Sequence, residues 1–235
     1  MPLDVKVGLT KNRLREWVNH YGIDGVYVSF SGGKDSTVLL DIARKMYGND
    51  IKAMFVDVPT QYPELKQFAM SFDNVDITRP KISFAEVCEK YGFPLISKEV
   101  AQCVYEVKNA MKHGKEKPLY RMRRFLGEIK DPKTGKKSVY NIEKWRFLLD
   151  ANFYCSHKCC DTMKKAPAHK YIKETGRVQI TAEMAEESRL RKQQWILNGC
   201  NGFNLKSPKS KPMSFWTEQD VLKYIKINNL PICSV

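Results

Sequence analysis

Membrane-spanning segments are missing from this 235-residue sequence. No window approaches the roughly 18 unbroken apolar residues that suggest a transmembrane helix, and the N-terminus has no apolar signal-peptide region. These two absences predict a cytoplasmic protein that makes no use of the membrane. Internal repeats are absent as well, which argues against a solenoid or an array.

Disulfide bonds are also unexpected. The chain has seven cysteines, an odd number, which in such a protein favours free thiols or a metal site over a disulfide framework. Apolar residues make up 43% of the sequence, enough for a full core. We predict one domain over residues 1–235, interrupted by an insertion.

Acidic residues are too few to balance the basic ones. Lys and Arg number 40 against 26 Asp and Glu, a formal net charge of +14 at pH 7. The excess is concentrated between Lys112 and Lys137, where ten basic residues face three acidic ones. Glycines and prolines recur in this segment, which predicts an irregular, solvated insertion at about residues 112–140 (Gly114, Pro118, Gly127, Pro132 and Gly135). Such a run is either a solvated face or a binding surface for RNA, DNA or another polyanion.

Strand-like and helix-like segments alternate along the chain. Apolar runs predict strands at 25–30, 51–56, 75–78 and 177–181, and helical periodicity predicts helices at 11–21, 35–47, 63–72, 84–91, 158–175, 188–197 and 216–228. For the last helix we predict a capping box, with Thr217 as N-cap and Asp220 at N3, and an inward face of Val221, Leu222, Tyr224 and Ile225. This order is typical of a Rossmann-like α/β fold with a doubly wound parallel sheet, in which ligands bind at the carboxyl ends of the strands.

The most informative segment follows the first predicted strand. Residues 31–36 read Ser-Gly-Gly-Lys-Asp-Ser and lead directly into an apolar helix. Two glycines allow main-chain N–H groups to approach a phosphate, and the N-terminus of the helix attracts an anion. Lys34 adds a mobile positive charge. The spacing fits neither a Walker A loop nor a G-x-G-x-x-G turn.

These six residues match S-G-G-x-D-S, the PP-loop of the adenine nucleotide α-hydrolase superfamily. The resemblance implies that the loop grips the pyrophosphate of ATP with Mg²⁺. It assigns nucleotide contacts to Ser29, Phe30, Ser31, Gly32, Gly33, Lys34, Asp35 and Ser36, and catalytic roles to Lys34 and Asp35.

Two further segments resemble the phosphoadenosine phosphosulfate (PAPS) reductase branch of this superfamily. Asp57 to Glu64 keeps the Asp and the aromatic-Pro-Glu of that branch but has Val58-Pro59 in place of Thr-Gly. The stretch 182–191 is similar to G-x-R-x-x-[EQD]-S-x-x-R, which implies nucleotide contacts for Asp57, Glu187, Ser188 and Arg191. Met184 stands where the branch has its first Arg. A surface ion pair between Arg191 and Glu187 is the alternative.

Adjacent cysteines form a third resemblance. Residues 159–167 look like the C-C-x-x-x-K-x-x-P of iron–sulfur members, in which the cysteine pair joins a downstream C-x-x-C to hold a [4Fe–4S] cluster. No C-x-x-C follows Cys160. The ligands of a [4Fe–4S] cluster or a zinc ion would then be Cys155, Cys159 and Cys160, with Cys200 or Cys233. Buried structural thiols are the alternative.

Three functions remain open at this point. The intact loop favours cleavage of ATP between the α and β phosphates to adenylate an acceptor, in sulfur-related or nucleic-acid modification. A PAPS or adenylylsulfate reductase is the second, although the Glu-Cys-Gly-Leu-His tail of the thiol-dependent enzymes does not occur in this sequence. The third is a non-catalytic nucleotide-binding subunit that works in a homo-oligomer or a complex.

Overall fold

The computed structural model describes residues 1–114 and 119–235, so Pro118 of the predicted insertion lies outside the described residues. The strands are β1 Val26–Ser29, β2 Ala53–Val56, β3 Val75–Thr78, β4 Val178–Ile180, β5 Asn201–Gly202 and β6 Lys209–Ser210. The α-helices are α1 Leu3–Tyr21, α2 Lys34–Tyr47, α3 Pro63–Met70, α4 Phe84–Tyr91, α5 Lys98–Lys112, α6 Leu119–Leu126, α7 Lys158–Cys160, α8 Ala166–Thr175, α9 Arg189–Asn198 and α10 Glu218–Asn228.

The described residues fall into two compact units. The first unit comprises Met1–Pro80 and Pro167–Val235, and the second unit comprises Lys81–Ala166. All six strands belong to the first unit. The second unit is helical, with α4, α5, α6 and α7, and it contains the predicted basic insertion.

The six strands form one sheet in the order β3-β2-β1-β4-β6-β5. Strands β3, β2, β1, β4 and β6 pair in parallel, and only β5 runs antiparallel to its neighbour. The order reverses between β1 and β4, because the chain first extends the sheet to one side of β1 and then returns to the other. This confirms the predicted doubly wound α/β fold and places a switch point at the carboxyl end of β1.

Successive side chains of β1 are buried on opposite faces of the sheet. Val26 and Val28 join the large core cluster, whereas Tyr27 between them packs with Met54 and Tyr171 in a separate cluster. All five side chains are at least nine-tenths buried. Neighbouring residues on a strand point to opposite faces, so a strand covered on both sides needs apolar residues throughout.

The last helix shows how local sequence sets a boundary. The hydroxyl of Thr217 accepts a hydrogen bond from the N–H of Asp220, and the Asp220 carboxylate accepts from the N–H of Thr217, so the predicted capping box is confirmed. Val221 and Tyr224 are buried as predicted. Leu222 was expected to face inward, and this was wrong: it is exposed because it lies on the opposite face of the helix.

Helical structure in the second unit exceeds the prediction. The sequence predicted irregular backbone from about residue 112, whereas Leu119–Leu126 forms α6 with Phe125 buried. Helix α5 was not predicted at all; Ser97 caps it, and its apolar face contains Val100, Val104 and Val107. Whether the chain acts as a single domain stays a prediction.

No helix among residues 1–114 and 119–235 is long and apolar enough to cross a lipid bilayer.

Candidate nucleotide-binding site

The segment Ser31–Ser36, called the phosphate loop below, joins β1 to α2 at the switch point of the sheet. Gly32 adopts a φ of +76°, a conformation that L side chains rarely adopt. A Cβ on Gly32 would also lie 3.2 Å from Leu65 Cδ2 and 3.3 Å from the Leu65 carbonyl oxygen. Both constraints require glycine at this position.

Three hydroxyl groups hold the phosphate loop in shape. Ser36 Oγ donates to the carbonyl oxygen of Gly33 at 2.9 Å, and Thr37 Oγ1 donates to the same oxygen at 3.1 Å. Ser36 Oγ also accepts from the N–H of Ser31 at 3.2 Å and lies 3.0 Å from Ser31 Oγ. The Ser36 hydroxyl is buried and hydrogen-bonded to main-chain atoms, so it holds the loop in its conformation. Ser31, in contrast, is exposed.

The first turn of α2 faces this loop without a side-chain cap. Its N-cap is Gly33, which has no side chain to accept from the N–H groups of the turn. Those N–H groups and the positive end of the helix dipole are suited to an anion. The phosphate loop and the start of α2 therefore have a local structure that suits an anion, and nucleotide contact by these residues stays a prediction.

Lys34 and Asp35 follow at the start of α2. Lys34 Nζ lies 3.1 Å from Glu218 Oε1 at the N-terminus of α10 and 3.8 Å from Asp35 Oδ1. Burial raises the pKa of the Asp35 carboxyl, Glu218 adds to the rise, and Lys34 and Arg191 oppose it. Among the described residues, Asp35 Oδ1 is buried with no hydrogen-bond partner.

Glu183 lies three residues after the carboxyl end of β4, the strand on the other side of the switch point. Its Oε1 lies 3.2 Å from Lys209 Nζ, and its Oε2 lies 3.5 Å from Lys211 Nζ. Burial alone would raise the pKa of the Glu183 carboxyl, but the two lysines outweigh burial and hold it below its ordinary value. Sequence reasoning did not assign these three residues or Glu218 to the site. Lys209 and Lys211 lie in or beside β6, which has only two residues and no apolar run to indicate a strand. Glu183 and Glu218 lie in segments that the sequence did predict, but their partners are distant in the chain.

The predicted stretch 182–191 is divided between core and surface. Met184 is buried in the large core cluster. Ser188 caps α9 by accepting from the N–H of Arg191 at 3.2 Å, and Arg191 forms an ion pair with Glu187. These partners match the alternative that the sequence left open, and nucleotide contact by the three residues stays a prediction.

The remaining predicted nucleotide residues lie at the ends of β1 and β2. Ser29 is half-buried at the end of β1, and the Phe30 side chain packs in the core against Phe72, 5.1 Å between ring centroids. Asp57 accepts from Arg79 at 2.8 Å and pairs with Lys66 at 2.9 Å. Although burial would raise the pKa of Asp57, these two cations lower it. Asp57, which follows β2, thus connects to Lys66 in α3 and to Arg79 after β3.

The cysteines predicted as metal ligands are divided between the two units. Within residues 1–114 and 119–235, no three His, Cys, Asp or Glu side chains are placed to hold a metal ion. Cys155 is buried, and Cys159 and Cys160 are half-buried, all in the second unit; Cys200 and Cys233 belong to the first unit. The prediction of a [4Fe–4S] cluster or zinc gains no support from this arrangement.

A parallel sheet with a glycine-rich phosphate loop at its switch point defines a nucleotide-binding protein of the doubly wound α/β class. The family model described as the phosphoadenosine phosphosulfate reductase domain matches residues 25–128 and 123–235. The chain therefore belongs to the PAPS reductase domain family, within the PP-loop superfamily.

One solved structure supports this fold, and two others are more distantly similar. A phosphoadenylyl-sulfate (PAPS) reductase from Candida auris, in a phosphate complex, matches with a TM-score of 0.52 and 18% identity over 95% of this chain and 81% of its own. An NH3-dependent NAD synthetase from Campylobacter jejuni, in complex with nitrate, has a TM-score of 0.44 and 11% identity over 98% of this chain and 75% of its own. An NMN synthetase from Francisella tularensis has a TM-score of 0.43 and 13% identity over 98% of this chain and 72% of its own. No curated protein sequence matches this chain.

Proposed function

We propose that the first unit binds ATP at the phosphate loop and cleaves it between the α and β phosphates, transferring the adenylyl group to an acceptor oxygen. The observation that carries this proposal is the loop itself: Gly32 brings main chain close to Leu65, and α2 starts without a side-chain cap. Both features are suited to a pyrophosphate group held by main-chain N–H groups.

The reaction requires stabilisation of the departing pyrophosphate. The acceptor oxygen attacks the α phosphorus, the bond from that phosphorus to the bridging oxygen breaks, and pyrophosphate leaves with the electron pair. Lys34, which directly follows the two glycines, would stabilise the negative charge that develops on the leaving pyrophosphate. Ser31, exposed at the outer side of the loop, would donate to a phosphoryl oxygen after turning from Ser36.

Asp35 fits a divalent cation. Its buried Oδ1 has no hydrogen-bond partner among the described residues, and carboxylate oxygen is a ligand that Mg²⁺ prefers in ATP sites. When bound, Mg²⁺ would neutralise phosphate charge in the ground state and the transition state. The Asp35 carboxyl would then ionise more readily, since a nearby cation favours the charged form.

The reading as a sulfonucleotide reductase is supported by the family and opposed by one substitution. Met184 stands where the resemblance expects the first Arg of the sulfonucleotide contact, and it is buried in the core. A buried thioether offers no charge to a sulfate. We therefore favour ATP, and propose a polyanionic acceptor in sulfur-related or nucleic-acid modification, because basic residues outnumber acidic ones by 14.

Direct binding followed by turnover tests the proposal. Titration calorimetry with ATP and Mg²⁺ should show saturable binding, and Lys34→Ala should weaken it at least about tenfold, the loss of one charge-assisted contact. Lys226→Ala is the matched control, because Lys226 is exposed on α10 and forms no ion pair among the described residues.

The second step measures products. Pyrophosphate release from ATP, dependent on an added acceptor and lost in Asp35→Asn, supports adenylation. Sulfite release from PAPS or adenylylsulfate with a thiol reductant, without pyrophosphate release from ATP, would replace it with the reductase reading. Binding of ATP without either product would identify a non-catalytic nucleotide-binding subunit.

A further inference from the structure

The second unit carries most of the net positive charge of the chain. Its 86 residues, Lys81–Ala166, include 19 Lys and Arg against 10 Asp and Glu, a net charge of +9 out of +14. A net charge of this size attracts a polyanion, but by itself it selects no partner. The arrangement of the charges on the backbone is more specific.

Residues 128–138, called the basic hairpin below, form an ordered turn. Lys130 and Lys137 pair as an antiparallel bridge, and the N–H of Asp131 donates to the carbonyl oxygen of Lys136 at 2.8 Å. The Asp131 carboxylate accepts from the N–H groups of Lys133 and Thr134 at 2.9 and 2.8 Å. These bonds hold the tip in one conformation.

The base of the basic hairpin is anchored in the second unit. The side chain of Asn141 accepts from the N–H of Ile129 at 3.1 Å and donates to the carbonyl oxygen of Ile129 at 2.8 Å. The buried guanidinium of Arg124 donates to the carbonyl oxygen of Tyr140 at 2.7 Å and pairs with Glu99 at 2.7 Å. Main chain fixed in this way presents its side chains at constant positions.

The lysines at the tip are available to a partner. Lys130, Lys133 and Lys136 are exposed, and no carboxylate among the described residues forms an ion pair with them. Lys137 pairs with Glu143 instead. Three lysines on a seven-residue turn are suited to successive phosphates of a chain that passes across it.

Exposed apolar side chains follow the basic hairpin in the sequence. Tyr140 is 58% exposed and Val139 is 93% exposed, directly after the basic hairpin. Phe147 is 61% exposed and lies 6.3 Å from Trp145, between ring centroids. Exposed rings in the same segment as exposed lysines are suited to a surface on which unpaired bases stack while the cations hold the backbone.

We propose that the basic hairpin, with Tyr140 and Phe147, binds single-stranded nucleic acid. Lys130, Lys133 and Lys136 contact phosphates, and the two rings stack with bases. A duplex would offer the same phosphates but hide the faces of its bases, so the exposed rings favour a single strand. The inference rests on the proposed function only in naming this strand as the acceptor; the binding surface is independent of ATP chemistry.

Fluorescence anisotropy with the full chain tests the proposal, without nucleotide and with no acceptor reaction required. The probes are labelled 12-residue RNA and DNA strands of mixed sequence, together with the corresponding duplexes. We expect single strands of RNA or DNA to bind more tightly than duplexes, and the slope of log affinity against log salt to reveal the phosphate contacts. Binding that survives Lys34→Ala separates this surface from the phosphate loop.

Two sets of variants assign the contacts. The triple variant Lys130→Gln, Lys133→Gln, Lys136→Gln should lower affinity at least about tenfold and reduce the salt slope by about 2, since each phosphate contact in a single strand contributes about 0.7. Tyr140→Ala should lower affinity about tenfold through lost stacking, and Tyr140→Phe should retain it. The control, Lys173→Gln, Lys223→Gln, Lys226→Gln, removes the same charge from exposed positions of the first unit.

Each outcome either supports or overturns the proposed binding surface. Equal losses in the hairpin and control variants, tighter binding of duplexes, or full competition by polyglutamate would overturn the proposal, the last in favour of an acidic protein partner. Unchanged thermal melting of Tyr140→Ala, combined with weaker binding, would support it, because the ring is exposed and its main chain stays bonded to Arg124. Loss of ATP cleavage alone would affect only the proposed reaction.

Discussion

The ammonium group of Lys34 lies 3.1 Å from the carboxylate of Glu218. Lys34 belongs to the phosphate loop, and Glu218 begins α10, 184 residues later in the chain. Helix α10 has its own capping box. Because both side chains are partly exposed, 37% and 57%, the ion pair adds little to stability. Its consequence is electrostatic: a phosphate group that binds the loop competes with Glu218 for Lys34.

Glu218→Gln should therefore tighten binding of ATP and of pyrophosphate. Removal of the competing carboxylate frees Lys34, and we expect the dissociation constants to fall about threefold to tenfold, with little change in the midpoint of thermal unfolding. Titration calorimetry with each ligand measures this. Glu186→Gln is the matched control, since its carboxylate lies 3.5 Å from the main-chain N of Glu218 and forms no ion pair with Lys34 among the described residues. Equal changes of affinity in both variants would mean that the negative charge of the whole region weakens ATP binding, and not the specific ion pair between Lys34 and Glu218.

Gly32→Ala should destabilise the protein and weaken ATP binding. The positive φ alone costs about 1–3 kcal/mol for a residue with a Cβ, and the contact with Leu65 displaces the loop as well. Gly48→Ala provides the comparison, because Gly48 has a φ of +65° with no atom within 4 Å of the added Cβ. Urea unfolding and calorimetry should show lower stability in both variants and weaker ATP binding only in Gly32→Ala. Normal affinity in Gly32→Ala would contradict the close approach of the loop.

Ser36→Ala and Ser31→Ala should separate structure from ligand contact. The buried Ser36 hydroxyl donates to Gly33 and accepts from Ser31, so its removal should cost about 1–3 kcal/mol of unfolding free energy. Ser31 is exposed, and its removal should cost less than about 1 kcal/mol while weakening ATP binding. Chemical denaturation in the absence and presence of ATP distinguishes them. The assignment fails if Ser31→Ala is the less stable variant.

Asp35→Asn should stabilise the protein at neutral pH and abolish its Mg²⁺-dependent activity. Burial raises the pKa of Asp35 above its value in the unfolded chain, so the folded state favours the protonated form. Stability then falls as the pH rises from the unfolded pKa through the folded one, and Asn removes this cost above that window. Urea unfolding at pH 3 and pH 7 should show the gain only at pH 7.

Asp220→Asn is the control, because the pKa of Asp220 is shifted in the opposite direction from that of Asp35. Burial would raise the pKa of Asp220, but Lys6 and Thr217 lower it, so its ionised form adds stability that is present above the unfolded pKa and is lost as the pH falls through the folded pKa. We expect Asp220→Asn to be less stable at pH 7, by about 0.5–2 kcal/mol for the capping contact. A gain in both Asp variants would contradict the assigned directions.

Much of the fold could be predicted because its elements have local causes. β3 and α4 occupy the predicted residues, since the alternation of Val75-Asp76-Ile77-Thr78 and the capping box of α4 are complete within their own segments. Residues 158–175 are helical as predicted, in three consecutive segments that include one of π type. β5 and β6 could not be predicted, because two residues each give no periodicity, and they exist only through pairing with each other and with β4.

The candidate site divides in the same way. The sequence by itself determined the phosphate loop, because glycine, small hydroxyl residues and a helix start produce its conformation within a few positions. Only the tertiary structure decided which charges meet there. Glu218 reaches Lys34, and Lys209 and Lys211 reach Glu183, across separations of 26 to 184 residues that no local pattern encodes. Ion pairs of this kind depend on where the sheet order places the strand ends, and that order results from packing of the whole first unit.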